Sequence, residues 1–283
     1  MDLFEQIVQA VNEELGISDL VTKTANSIFS MIAKDKKEKP LDGNKKTGTI
    51  KGVNLFGKTI DINYKLYFVD TNEEAKSLPI KWSGGYDDDN KALNTTVVYV
   101  RDENRSIDYC GTLQHEIEHA YQTSKHGKNL LTKTSSKKIY NAAHRLTNSR
   151  DYFEQVVGYS VYYANKFERD AHENSYYRMI MDNPSEDPFE IIKGTSVYKN
   201  LMIINNQLNN DTPYFIQSVE NICMTNFGKH FNWWKNLTKR MINDYLTKIG
   251  KVIVKAKKDR DGELVDPNTV ISQPPQFIKE ENE

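Results

Sequence analysis

The chain is predicted to be an α+β protein with a small mixed or antiparallel sheet followed by many helices. Strand-like stretches crowd between residues 49 and 102, and almost everything after them is helical in pattern. No internal repeat is present, and strands followed by helices argue α+β rather than alternating α/β. With 283 residues, one large domain or two small ones are expected.

Composition narrows the classes before any motif is read. Lys+Arg number 38 against 39 Asp+Glu, so no chain-wide attraction to nucleic acid or anionic membrane is expected. The two cysteines, Cys110 and Cys223, stand far apart, which excludes a disulfide scaffold, a zinc ribbon or an iron–sulfur site. The opening MDLFEQIVQAVNEELG carries acids where a secretion signal needs a basic stretch. No run reaches the ~18 apolar residues of a membrane span. The expected location is cytoplasmic, or a virion if the chain is phage-encoded; frequent Lys, Asn, Ile and Tyr suit an AT-rich genome.

Residues 2–33 read as one or two amphipathic helices, with Leu3, Ile7, Val8, Val11, Leu15 and then Leu20, Ala25, Ile28, Ile32 at helical spacing. Gly16 interrupts the run and Ser18 is placed to cap a second helix. Residues 34–48 are charged and aperiodic and read as a linker. Residues 49–56 and 58–70 alternate around Gly57 as a hairpin. Residues 82–94 read as a loop whose Asp87, Asp88 and Asp89 lack the spacing of a calcium site and form a solvated turn. Residues 95–102 are a strand.

Ser106 is expected to cap a helix running to about His126, with Gly127 to end it. Further helices are expected over 136–147, 150–181, 187–208 and 212–250. The resulting plan is a helical element and linker at 1–46, a central domain at 47–182, a helical extension at 183–257, and a Pro-interrupted tail at 258–283.

The chemistry is concentrated in Thr112-Leu113-Gln114-His115-Glu116-Ile117-Glu118-His119-Ala120-Tyr121. On a helix, His115 and His119 leave the same face one turn apart, so both imidazoles can reach one zinc ion at about 2.0–2.1 Å. Glu116 is offset and reaches a water on that ion rather than the ion itself. Glu118 stands where the motif normally has an uncharged residue and is expected to face solvent. The bland alternative is a surface helix with an i,i+4 histidine pair. Thr112 and Gln122 share the His115/His119 face, to line a cleft or meet polar neighbours.

Two histidines leave a catalytic zinc short of a third protein ligand. A third histidine on the same helix, as in metzincins, would need Gly at 122 and His at 125, and Gln122 and Lys125 stand there instead. The run Tyr162-Tyr163-Ala164-Asn165-Lys166-Phe167-Glu168-Arg169-Asp170-Ala171-His172 follows His119 by room for one helix and a return. Here the sequence resembles the gluzincin metallopeptidases, above all the compact minigluzincin type, over residues 50–181. The resemblance implies an HExxH active-site helix, a second Glu-bearing helix, and an edge strand over the cleft, placed at TTVVYV, that pairs with extended substrate.

It further implies zinc held by His115, His119 and Glu168, with Glu116 as the base in the hydrolysis of peptide bonds in a protein or peptide substrate. Ala171, one turn from Glu168, would allow close helix approach. Where the family often has Asp or Asn four residues past the Glu ligand, this chain has His172, a rival third ligand; Glu154 and Asp170 are poorer rivals. Tyr159, Tyr163, Tyr176, Tyr177, His144 and Arg178 are candidates for stabilising the oxyanion.

Other features read more plainly. Cys110 is expected as a buried thiol, His230 with Trp233-Trp234 as packing of a terminal helix, and Lys251, Lys255, Lys257, Lys258 and Arg260 as a solvated basic end. Two other functions compete: a non-catalytic structural or interaction protein, such as a phage particle component, and a protease acting on DNA-bound proteins. The second would need a basic surface or cysteine module that this chain lacks. Docking of residues 1–46 on the cleft is the regulatory hypothesis the linker motivates.

Overall fold

The computed structural model describes residues 19–34, 45–78, 84–108, 111–126 and 134–261. The helix expected within 2–17, Cys110, and residues 262–283 of the expected tail lie outside the described residues. The architecture is α+β, with a small mixed sheet and a larger helical body.

Helix α1 (Asp19–Ala33) buries Val21, Ala25, Ile28 and Ile32, one stripe at helical spacing. That stripe packs under the sheet with Ile60, Ile62, Leu66, Leu93 and Val97. Strand β1 (Lys45–Leu55) begins inside the segment expected as linker, since Lys45–Gly48 pair with Tyr67–Tyr64 of β2 (Lys58–Val69). The lysines hid this strand, because an edge strand tolerates charged side chains on its open side. The β1–β2 hairpin turns at Phe56 and Gly57, both with positive φ, 51° and 86°, as a tight antiparallel hairpin requires.

Chain from β2 passes through the short helix α2 (Asn72–Ser77) and β3 (Gly85–Asp87) to β4 (Ala92–Val100). Strand β4 lies parallel to β2 and antiparallel to β3, so residues 85–94 of the stretch expected as a loop over 82–94 form a hairpin. Its turn is built by Asp87, whose Oδ1 accepts the N–H groups of Asp89 (3.0 Å) and Asn90 (2.9 Å). The sheet order is β1-β2-β4-β3, with β5 (Arg105–Ile107) also on β4. Strand β4 is therefore interior: β2 runs along one side, and β3 and β5 take the two ends of the other.

Ser106 does not cap a helix; it lies in β5 opposite Tyr99. Helix α3 (Thr112–His126) is capped instead by Asp108, whose carboxylate accepts from Leu113 N (2.9 Å) and Gln114 N (3.1 Å). An acid at a helix start satisfies free N–H groups and favours the dipole.

The helical body comprises α4 (Thr134–Thr147), α5 (Tyr152–Tyr163), α6 (Lys166–Asp182), α7 (Pro188–Lys193), α8 (Ser196–Gln207), α9 (Pro213–Phe227) and α10 (Phe231–Asp261). Three spans expected as continuous are each broken. Asn165 caps α6 by accepting from Phe167 N, Thr195 caps α8, and Gly228, at φ 63°, ends α9 in the left-handed region. Helix α10 extends past residue 258, so the tail expected from there starts inside a helix. Trp234 is fully buried in the core of α4, α5, α8, α9 and α10, while His230 is exposed and pairs with Glu220. No described helix is long and apolar enough to cross a membrane.

Candidate metal centre

Helices α3 and α6 pack against each other, and their contact sets the site. Leu113, Ile117 and Ala120 of α3 face the sheet core, which turns His115 and His119 toward α6. Gly111, just before α3, is what lets the two helices close. Its φ is +63°, and a Cβ there would stand 2.4 Å from the carbonyl oxygen of Ser175 on α6.

Across this contact three donor atoms converge. His115 Nε2 lies 3.1 Å from His119 Nε2, and Glu168 Oε2 lies 3.7 Å from the first and 3.6 Å from the second. Four ligands at about 2.0–2.1 Å around a tetrahedral ion stand about 3.3 Å from one another, so the spacing could accommodate one divalent ion. Glu168 is 2% exposed, and its Oε2 has no hydrogen-bond partner. A buried carboxylate oxygen left without a donor, facing two imidazoles, fits a cation between them. Two imidazoles and one carboxylate are the donor set of a zinc-class ion.

Each donor is held from behind. His115 is bonded to the backbone of Ala171, a fully buried residue whose small side chain lets the ring approach α6. His119 Nδ1 lies 3.1 Å from Gln122 Oε1, and Gln122 Nε2 donates to Phe167 O at 3.2 Å. Glu168 Oε1 accepts from Tyr140 Oη at 2.9 Å, and Tyr162 also bonds this carboxylate. Burial, and then the neighbouring His119, hold His115 well below the usual histidine range. Burial opposes ionisation of Glu168, but His119 and His115 outweigh it and hold the carboxyl well below the carboxylate range.

Glu116 is 8% exposed and accepts a hydrogen bond from the backbone of Tyr86 in β3. Burial pushes its carboxyl up to about 7. Strand β3 reaches this close because Gly84 carries no side chain: a Cβ there would lie 2.1 Å from Thr112 Cγ2 and 3.1 Å from Glu116 Cγ. The strand at the sheet edge nearest Glu116 is thus β3, inside the stretch expected as a loop, rather than TTVVYV.

His172 is buried, and the donor atoms of His115, Glu168 and His172 all lie within 4.8 Å of one another. Its Nδ1 is 2.8 Å from Tyr245 Oη. The poorer rivals are engaged elsewhere, Glu154 by Ser149 and Asp170 by Lys248. Glu118 does not face solvent. It is 4% exposed against Asn174 and Gln122, and burial pushes its carboxyl up to about 7. Helix α6 covers this side of α3, which a lone-helix pattern does not reveal.

Several expected oxyanion donors have other partners. Tyr177 donates to Asp259, Arg178 pairs with Asp182 and Asn26, and Asn200 donates to Tyr163. The Tyr176 ring stacks on His172 and the Tyr159 ring packs on Tyr163. His144 stacks on Tyr140, near the site without a bond to it. Sequence reasoning missed Tyr140, Tyr245 and the Tyr86 backbone, which bear no spacing relation to the motif. Gln122 was visible as a residue of the His119 face, but not in its bridging role.

No protein-family model matches this chain, and no curated protein or solved structure matches it.

Proposed function

We propose that the chain is a zinc-dependent metallopeptidase of the gluzincin pattern that hydrolyses peptide bonds within an extended segment of a protein or peptide. His115, His119 and Glu168 would hold the ion and Glu116 would serve as the base. The observation that carries this reading is the convergence of three donors at 3.1–3.7 Å around the partnerless Glu168 Oε2.

A bound zinc ion supplies Lewis acidity and lowers the pKa of water toward ~7. Glu116, buried beside the histidines, would take a proton from the attacking water and pass it to the leaving amine. A carboxyl with its pKa near the working pH performs both halves of that transfer. The Tyr86 N–H keeps Glu116 oriented toward the cleft side of α3. Strand β3 pairs only with β4 among the described strands. An extended chain would add as a further strand on its other side, beside the base.

Elemental analysis of the purified chain tests the ion: about one zinc per chain in the wild type, lost in Glu168→Ala, supports the reading. Hydrolysis of a denatured-protein substrate, abolished by Glu116→Gln with zinc retained, tests the reaction. No zinc at neutral pH with metal in excess would sink the proposal and leave the structural protein as the better account.

A further inference from the structure

We propose that His172 is a fourth protein ligand of the same ion, filling in the resting protein the position that the other three donors leave to an external ligand. This rests on the reading of His115, His119 and Glu168 as the ion's holders. Glu168 and His172 are four residues apart on α6 and so leave one face of that helix. The His172 ring centroid lies 4.8 Å from that of His115, tilted by 44°. The donor-atom separations of up to 4.8 Å with His115 and Glu168 exceed a tetrahedral edge of about 3.3 Å, so ligation requires the ring to move toward the other donors while keeping the Tyr245 bond.

The orientation of the ring is determined by its surroundings. Nδ1 is engaged by Tyr245 Oη at 2.8 Å, which leaves Nε2 as the nitrogen available to an ion. The ring packs on Tyr163 of α5 at 5.5 Å and Tyr176 of α6 at 6.3 Å, with Tyr245 of α10 at 5.9 Å. One turn further along α10, Lys248 pairs with both Asp170 and Glu173 of α6. The C-terminal helix thus grips α6 on both sides of His172. Hydrogen bonding of one imidazole nitrogen to fix the other on a metal is the usual way a histidine ligand is oriented. Three imidazoles and a carboxylate complete a four-coordinate zinc-class site, so such a site would be closed to an external ligand at rest.

Cobalt(II) titration of the full chain tests this, using visible absorption and the response to added azide. His172→Asn is the main variant, because its side-chain amide can keep the Tyr245 bond while removing Nε2; His172→Ala and Tyr245→Phe accompany it. The wild type should bind cobalt with a spectrum that azide does not shift. Both His172 variants should bind at least about tenfold more weakly and gain an azide-dependent spectrum, and Tyr245→Phe should show a smaller change in the same direction. Equal affinities and identical azide responses in wild type and His172→Asn would overturn the proposal. Cobalt binding unaffected by His115→Ala and Glu168→Ala would instead overturn the three-residue site beneath it.

Discussion

Gln122 Oε1 lies 3.1 Å from His119 Nδ1 while its amide nitrogen donates to the Phe167 carbonyl, so one side chain on α3 both orients a ligand-type histidine and ties it to α6 next to Glu168. The backbone of Ala171 engages the other histidine of the pair, His115.

Gln122→Leu keeps the volume and removes the bonds to His119 and Phe167, together with the one to Glu118. Zinc affinity is expected to fall about 10–100-fold, measured by competition with a chromophoric chelator. Circular dichroism should report unchanged helix content. Unaltered affinity would mean the ring is held by packing alone.

Gly111→Ala forces a Cβ into the Ser175 backbone at a positive φ. A left-handed non-glycine residue alone costs about 1–2 kcal/mol, and the clash must also part α3 from α6. Lower thermal stability and weaker zinc binding are expected together. A variant with wild-type zinc affinity would show that the helix contact is not set at this glycine.

Helix α1 belongs to the core beneath the sheet rather than forming a removable cover over the cleft, at least for the described residues 19–34. Ile28 is 1% exposed between the sheet and α3. Ile28→Ala should cost about 2–5 kcal/mol by denaturant unfolding, and truncation at residue 46 should give an unstable protein rather than an activated one. Raised activity with unchanged stability after truncation would restore a regulatory role.

Asp108 carries a pH signature. Burial raises its folded pKa to about 7, with Arg178 opposing, while an unfolded Asp titrates near about 3.9. Between those values the folded state binds the extra proton. The stability contributed is complete below about pH 4, is lost as pH rises toward 7, and changes no further above that, with a slope of at most about 1.4 kcal/mol per pH unit. Asp108→Asn, which can still accept a bond at the α3 start, should flatten stability against pH in that window. Parallel curves for the two proteins would contradict the assignment.

The amino-acid pattern was sufficient for features carried by the periodicity of one element. The α+β class, the α1 stripe and the hairpin at Gly57 follow from periodicity and turn chemistry, while the stop expected at Gly127 lies outside the described residues. The His115/His119 pair follows from periodicity too, because an i,i+4 spacing fixes a shared helix face. Where the pattern failed, the deciding group was a single cap or an edge. Asn165, Thr195 and Gly228 split helices whose apolar stripes run on across the break, and lysines masked the start of β1.

What belongs to the tertiary structure is everything that α6 brings to α3. The distances from Glu168 to two histidines, the burial of Glu118, the tyrosines at Glu168 and His172, and the approach of β3 to Glu116 join residues far apart in sequence. Their relative positions are set by core packing and by close contacts at Gly84, Gly111 and Ala171. Spacing along one helix determines which side chains share a face, but only the packing of other elements determines what that face meets.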